Sequence, residues 1–335
     1  PDPLWSRGLG DVYKRQNVIN NKALTEHINK STKIYVAFSG GADSSALLYL
    51  FAEIRKKDRF ELEAIHINHN LSKDSQKWED HCKSICKSID VNFITKSIDI
   101  NIDGDGLESA ARKARYSIFS DLLKKGEQVL LAHHSNDVAE TFFLRLFRGT
   151  GMDGLDGPPV KRAVGLGFLV RPLLGYSKKD LLSYLDKNNI SFIEDASNFE
   201  INQDRNFIRN SLIPIIEERW VNASDRISKT SKLIEGRNIL YKELFKKEYG
   251  YLIGKEIPVK DLKNLDNAVC ADVIRSSIAI QNIAMPNKKI TEEIIKTFIL
   301  SRPGPKSEVL WSRADNDQLG GKAIYKNGCI VITNR

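Results

Sequence analysis

Little in this chain of 335 residues is suited to cross-linking or to soft-metal chemistry. Cysteine occurs four times, at Cys82, Cys86, Cys270 and Cys329. That is too few and too scattered for a disulfide framework, and no C-x-x-C pair is present, so a reducing compartment is expected. No apolar run approaches the roughly 20 residues of a membrane helix, and the start of the chain lacks the apolar core of a secretory signal. The expectation is a cytoplasmic chain with no membrane association. Internal repeats and low-complexity tracts are missing as well. Gly40-Gly41 is not followed by the Lys of a Walker loop, which removes one familiar phosphate-binding motif.

What is present is ordinary in amount and uneven in placement. Hydrophobic residues make up 41% and charged residues 28%, as in globular proteins generally, and the length suggests about two domains. The net charge is +8 and the pI about 9.1. From Arg205 onward, roughly 23 basic residues stand against 15 acidic ones, so nearly all the surplus lies in the C-terminal part. An anionic partner follows, with nucleic acid ahead of the blander reading of a solvated basic face. Residues 1–16 have no initiating Met and no periodicity, and look like a leader added by adapter read-through. They are set aside as non-native.

The chain is organised around Ser39-Gly40-Gly41-Ala42-Asp43-Ser44-Ser45. The apolar run Ile34–Phe38 before it reads as a buried strand and Ala46–Ile54 after it as a helix. Strand, glycine turn and helix together aim backbone N–H groups and a positive helix end at an anion. The glycines allow close backbone approach, and Ser39, Ser44 and Ser45 add hydroxyl donors.

Further along, strands at 60–67, 92–98, 129–132 and 168–172 alternate with helices at 78–89, 106–125, 136–147 and 178–188. A parallel sheet covered on both faces is the expected architecture. Gly149–Gly157 is a turn-rich loop suggesting function or mobility. Domain boundaries are placed at 17–216 for a catalytic α/β domain and 217–335 for a mainly helical domain. The latter ends in a hairpin over 320–332 with Asn327-Gly328 at the turn.

In such a sheet, ligands bind where strands end at the switch point. Asp137 and Glu140 follow the 129–132 strand, three apart at a helix start and so on one face. They read as helix-end charge, as part of a metal set with His133 and His134 that lacks a clear third-ligand spacing, or, preferably, as a pocket for a cationic substrate group. Arg112 and Arg115, three apart on a helix, suit forked phosphate contacts; Arg205 and Arg209, four residues apart, read as reaching a phosphate or as pinning the loop. His66 and His69 read as core or loop-fixing, and Cys82 and Cys86 as buried and inert.

The Ser39–Ser45 loop resembles the S-G-G-x-D-S loop of ATP pyrophosphatases. The resemblance widens through His66-Ile67-Asn68-His69, Ala111-Arg112 with Arg115-Tyr116, His133-His134 with Asp137, Glu140 and Thr141, Arg148–Gly151, Arg171-Pro172, Asp195–Asn198, Arg205-Asn206 and Arg209. Together these resemble the tRNA(Ile)-lysidine synthetases over 17–216. Asn70 and Ser72 depart from the pattern, which usually has Gly and often Arg there.

The resemblance implies an adenine nucleotide alpha hydrolase-like, doubly wound domain using ATP and Mg²⁺. The wobble cytidine of a CAU-anticodon tRNA(Ile) would be adenylated, and free L-lysine would displace AMP. In that scheme residues Ser39–Ser45 hold the phosphates, Asp43 binds Mg²⁺, Asp43, Asp137 and Arg115 are catalytic, and Asp137 and Glu140 hold lysine. Arg112, Arg205 and Arg209 meet phosphate or tRNA. A tRNA thiolase sharing the loop and a non-catalytic RNA-binding protein are the alternatives. A homodimer is left open.

Overall fold

A computed structural model describes residues 19–69, 75–98, 107–193, 204–281, 283–312 and 319–335, with side chains from residue 110 in the helix that begins at Leu107. The leader, Asn70, Ser72 and Asp195–Asn198 lie outside the described residues. The chain forms two compact units, residues 1–238 and 239–335. The boundary expected at 216/217 falls within the first.

In the first unit β1 (Ile34–Ala37) runs parallel to β2 (Leu62–Asn68) on one side and to β4 (Gln128–Leu130) on the other. β3 (Asn92–Ser97) extends the sheet beyond β2, and β6 (Gly167–Val170) beyond β4. The order is β3-β2-β1-β4-β6, with one further strand, residues Lys161–Val164, at the edge beyond β6. β5 (Lys161–Val164) pairs antiparallel with β6; it was not read from the sequence because three of its four residues are exposed, leaving little apolar pattern to read.

Strand alternation sends side chains to both faces of this sheet. Ile34 and Val36 pack with Leu47, Leu48 and Phe51 of α2 (Ala42–Asp58). Tyr35 and Val129 pack with Phe119 of α4 (Leu107–Leu122) on the other face. The chain turns outward from β1 through β2 to β3, then crosses back to β4. The crevice at the β1 and β4 carboxyl ends is the switch point where ligands of such sheets bind.

The second unit has helices at Asn267–Ala279 and Lys288–Ile295 and a four-stranded antiparallel sheet in the order β7-β10-β9-β8. The expected hairpin is β9 (Gly321–Lys326) with β10 (Cys329–Asn334). Its turn residues, Asn327 and Gly328, both have positive φ, 51° and 79°, as a two-residue hairpin turn requires. β7 (Glu256–Pro258) and β8 (Glu308–Trp311) complete the sheet. Val273, Ile274, Phe298, Trp311 and Ile330 share its core.

Candidate active site

The loop after β1 is braced from behind. Gly40 has φ of +84°, and a Cβ there would stand 2.9 Å from Cys82 Sγ and 3.2 Å from Ile193 Cδ1. Glycine is needed both for the left-handed backbone and for the space. Gly40 O accepts a hydrogen bond from Ile193 N at 2.9 Å, and Ser44 Oγ donates to Gly41 O at 3.0 Å while accepting from Ser39 N at 3.2 Å. The His66 ring Nδ1 pairs with Phe38 O at 2.9 Å, so this histidine fixes the strand end, as expected. Burial pushes the thiols of Cys82 and Cys86 up to about 12, leaving them as packing groups.

In front of the loop lies a cavity of about 530 Å³. Ser39, Gly41, Ala42, Asp43 and Ser44 form one wall, and His69, Arg115, His133, Asp137, Lys178 and Arg209 lie around it. Asp43 sits in the first turn of α2, where the positive helix end favours an anion. Its Oδ1 is buried without a hydrogen-bond partner, and its Oδ2 lies 3.5 Å from His134 Nε2. An orphaned carboxylate oxygen beside a phosphate loop suits a hard cation that takes its remaining ligands from phosphate and water. Among the described residues no group of three His, Cys, Asp or Glu is placed to hold a metal, so the reading of His133 and His134 as part of a metal set gains no support.

Behind Asp137, the start of α5 (Ser135–Phe147) carries a compact ion cluster. Asp137 Oδ2 accepts from His134 N at 2.9 Å. Its Oδ1 takes Arg205 Nη2 at 3.0 Å and Arg209 Nη2 at 3.4 Å. Glu140, 1% exposed, receives Arg205 Nε at 2.8 Å on Oε2 and Arg209 Nε at 2.6 Å on Oε1. Arg209 projects from a wider turn, Ile208–Leu212, between two short helices; such turns often accompany functional sites. Burial works against ionising Asp137, but His134, His133 and Arg205 hold its carboxyl well below the usual range. The two carboxylates read from the sequence as open to a cationic substrate are thus occupied by the two arginines read as phosphate ligands.

The adjacent histidines differ. Burial pushes His133 down to about 4, with Arg171, Arg205 and Arg112 adding to the fall against the pull of Asp137. Its Nδ1 accepts from Arg171 Nε at 3.2 Å, so the neutral ring carries its proton on Nε2. His134 is also depressed by burial, yet Asp137 and Asp43 outweigh this and raise it. His69 is lowered by burial and by Arg115.

Of the other residues read from the sequence, Arg112 lies over the Tyr116 ring rather than on the cavity wall. The 149–157 loop is tied down by Arg145, whose Nη1 donates to Gly154 O at 2.9 Å and Asp156 O at 2.5 Å. Sequence reading gave no role to Lys178 or Arg171. Lys178 follows the cap residue Ser177 at the end of a parallel strand unit, a position that was available as a signal.

Loop, sheet order and cavity define a PP-loop nucleotide-binding domain, and residues 12–216 match the family described as the PP-loop domain. Within that class the chain belongs to the tRNA(Ile)-lysidine synthase family. The tRNA(Ile)-lysidine synthase of Wigglesworthia glossinidia brevipalpis is 34% identical over 301 residues, covering 86% of this chain and 75% of that protein. That of Buchnera aphidicola subsp. Acyrthosiphon pisum (strain APS) is 37% identical over 281 residues, covering 83% and 63%. The chain therefore spans less than two thirds of that relative's length. The solved U34-tRNA thiolase NcsA from Methanococcus maripaludis aligns with a TM-score of 0.53 at 14% identity, covering 64% of this chain and 77% of that one, a likeness of fold alone. Among the described residues no helix is long and apolar enough to cross a membrane.

Proposed function

We propose that the chain ligates lysine to C2 of the wobble cytidine in a CAU-anticodon tRNA(Ile), at the expense of ATP. The C2 oxygen of the base attacks the α-phosphorus, the bond to pyrophosphate breaks, and an adenylated cytidine forms. The ε-amine of L-lysine then attacks C2, loses a proton, and AMP leaves with the oxygen. The observation that carries this reading is the loop itself, in a chain of this family: at the switch point Ser39, Gly41, Ala42, Asp43 and Ser44 face a cavity of about 530 Å³, while Gly40 and Ser45 lie behind them and shape the turn.

Backbone N–H groups of the Ser39–Ser45 loop and the α2 N-terminus hold the phosphates and favour the leaving pyrophosphate. Mg²⁺, held by Asp43, would supply charge against the phosphate oxygens. Arg115 and the neutral His133, both lining the cavity, are the donors assigned to the transferred adenylyl group. Asp137 reaches the cavity and is the carboxylate assigned to hold and orient the lysine ammonium, whose free pKa is about 10.4; held below the usual carboxylate range it is a poor base, so the amine's proton passes to solvent. Glu140 stands behind it and holds Arg205 and Arg209 instead. For Asp137 to take the ammonium, those guanidinium groups must release one oxygen.

Enzyme, ATP, Mg²⁺ and labelled lysine are expected to give lysine incorporation and pyrophosphate with CAU-anticodon isoleucine tRNA, and no incorporation into methionine tRNA. Equal incorporation into both would overturn the reading. Asp43→Ala is expected to abolish turnover while leaving tRNA binding largely intact; full activity in that variant would remove Asp43 from the chemistry.

A further inference from the structure

Two arginines of the first unit lie over one tyrosine and a third is buried nearby, and among the described residues no carboxylate is ion-paired with any of them. The Arg162 guanidinium lies 4.3 Å from the centroid of the Tyr116 ring, and that of Arg112 lies 5.0 Å from it. Arg171, buried nearby, donates from Nη1 to Pro159 O at 2.7 Å and from Nε to His133 Nδ1 at 3.2 Å. A carbonyl and a neutral imidazole satisfy hydrogen bonds but cancel no charge. Among the described residues none of the three arginines forms an ion pair. The same unit pairs Arg205 and Arg209 closely with Asp137 and Glu140.

The uncompensated charge is felt within the cluster. Burial lowers the Arg171 guanidinium, and Arg162 and Arg112 lower it further against the pull of Tyr116. Three like charges so close form a stable arrangement when an anion joins them, and planar guanidinium groups present parallel donors to a phosphate. The place also matters. Arg171 holds His133, which lines the nucleotide cavity, while Arg112 and Arg162 are exposed at the surface.

We propose that Arg112 and Arg162, arranged on Tyr116, bind a phosphodiester of the RNA substrate next to the nucleotide that enters the cavity, with the buried Arg171 adding its positive charge nearby. This rests on the reading of the chain as an RNA-modifying enzyme. The phosphates of ATP are served by the loop and the α2 N-terminus, whereas the exposed pair faces the solvent, where a polymer runs. The site anchors the backbone on one side of the target base while Arg171 sets the tautomer of His133 on the other.

The test uses the full chain with Arg162→Gln, the double variant Arg112→Gln/Arg162→Gln, and Arg162→Lys. Binding of a CAU-anticodon tRNA transcript is measured without ATP between about 50 and 200 mM salt, and MgATP binding is measured without RNA. The slope of log affinity against log salt should fall by about 1 for each phosphate that is no longer neutralised. The double variant is expected to bind RNA about 10-fold more weakly at the lower salt, and Arg162→Lys to keep most of the slope. Unchanged affinity and slope in the double variant would overturn the proposal. So would weakened MgATP binding with RNA binding intact, since the anion would then be a nucleotide phosphate. Failure of the unsubstituted chain to bind RNA at all would instead sink the functional reading on which the site rests.

Discussion

Adjacent in sequence, His133 and His134 answer to opposite surroundings. Burial, helped by Arg171, keeps His133 neutral, while Asp137 and Asp43 favour the cation of His134. The sign of the first effect fixes a pH dependence. A histidine whose folded pKa lies near 4 rather than about 6.5 takes up its proton more readily in the unfolded chain. Its stabilisation is complete above about pH 6.5 and is lost as pH falls through 4, up to about 3 kcal/mol. His133→Asn keeps an acceptor for Arg171 but cannot titrate. The difference in unfolding free energy between the parent and this variant, measured in urea at pH 7 and pH 4.5, should shrink by about 2–3 kcal/mol at the lower pH; a constant difference would show that His133 titrates normally. This pairing was not legible from the sequence, because Arg171 and His133 are 38 residues apart and follow different strands. The loop-fixing role of His66 was legible, since a histidine at a strand end beside a tight loop has few other partners to reach.

At the scale of elements, α5 is held through four side chains to the short helix Asp204–Phe207, which carries Arg205, and to the wider turn after it, Ile208–Leu212, which carries Arg209. Helical spacing predicted that Asp137 and Glu140 share a face; for Arg205 and Arg209 the spacing of four left reaching a phosphate and pinning the loop both open. That the two pairs meet was hidden, because Asp195–Asn198 and the other polar residues before α7 (Asp204–Phe207) give no local sign of where the chain returns. Glu140→Gln leaves both guanidinium groups with one carboxylate. Removing one partner of a buried pair usually costs about 3–5 kcal/mol, here reduced because Arg205 and Arg209 are 24% and 32% exposed. A loss of about 2–3 kcal/mol is expected by chemical denaturation. A variant as stable as the parent would show that the arginines need only Asp137. In the second unit, the hairpin was legible from Asn327-Gly328, whereas β7 was not: it has three residues, one of them Pro258, and Pro argues against strand wherever local pattern alone is used.

For the whole molecule, alternation of strand and helix was enough to predict a parallel sheet, since each apolar run had to be covered on both faces. The strand order was not readable, because it depends on pairing between β1 and β4 some 94 residues apart. Binding that closes across this sheet should stabilise the unit containing it. MgATP at about 100 times its dissociation constant is expected to add about 2.7 kcal/mol to unfolding of the loop-bearing unit, seen as a rise in its thermal midpoint. Asp43→Ala should lose most of that rise, and the absence of any rise in the parent chain would argue against a preformed nucleotide site.

The crossing from β3 back to β4 also sets a timetable. During synthesis the phosphate loop exists once residue 45 has emerged, yet the facing wall needs Asp137 and Arg209, contributed much later. Early lengths of chain own a loop with nothing opposite it, and long-range strand pairing is the slow part of folding. Nucleotide binding by a nascent chain would therefore mark the arrival of the wall opposite the loop, later in synthesis than the moment at which the central strand gains β4 as its second neighbour.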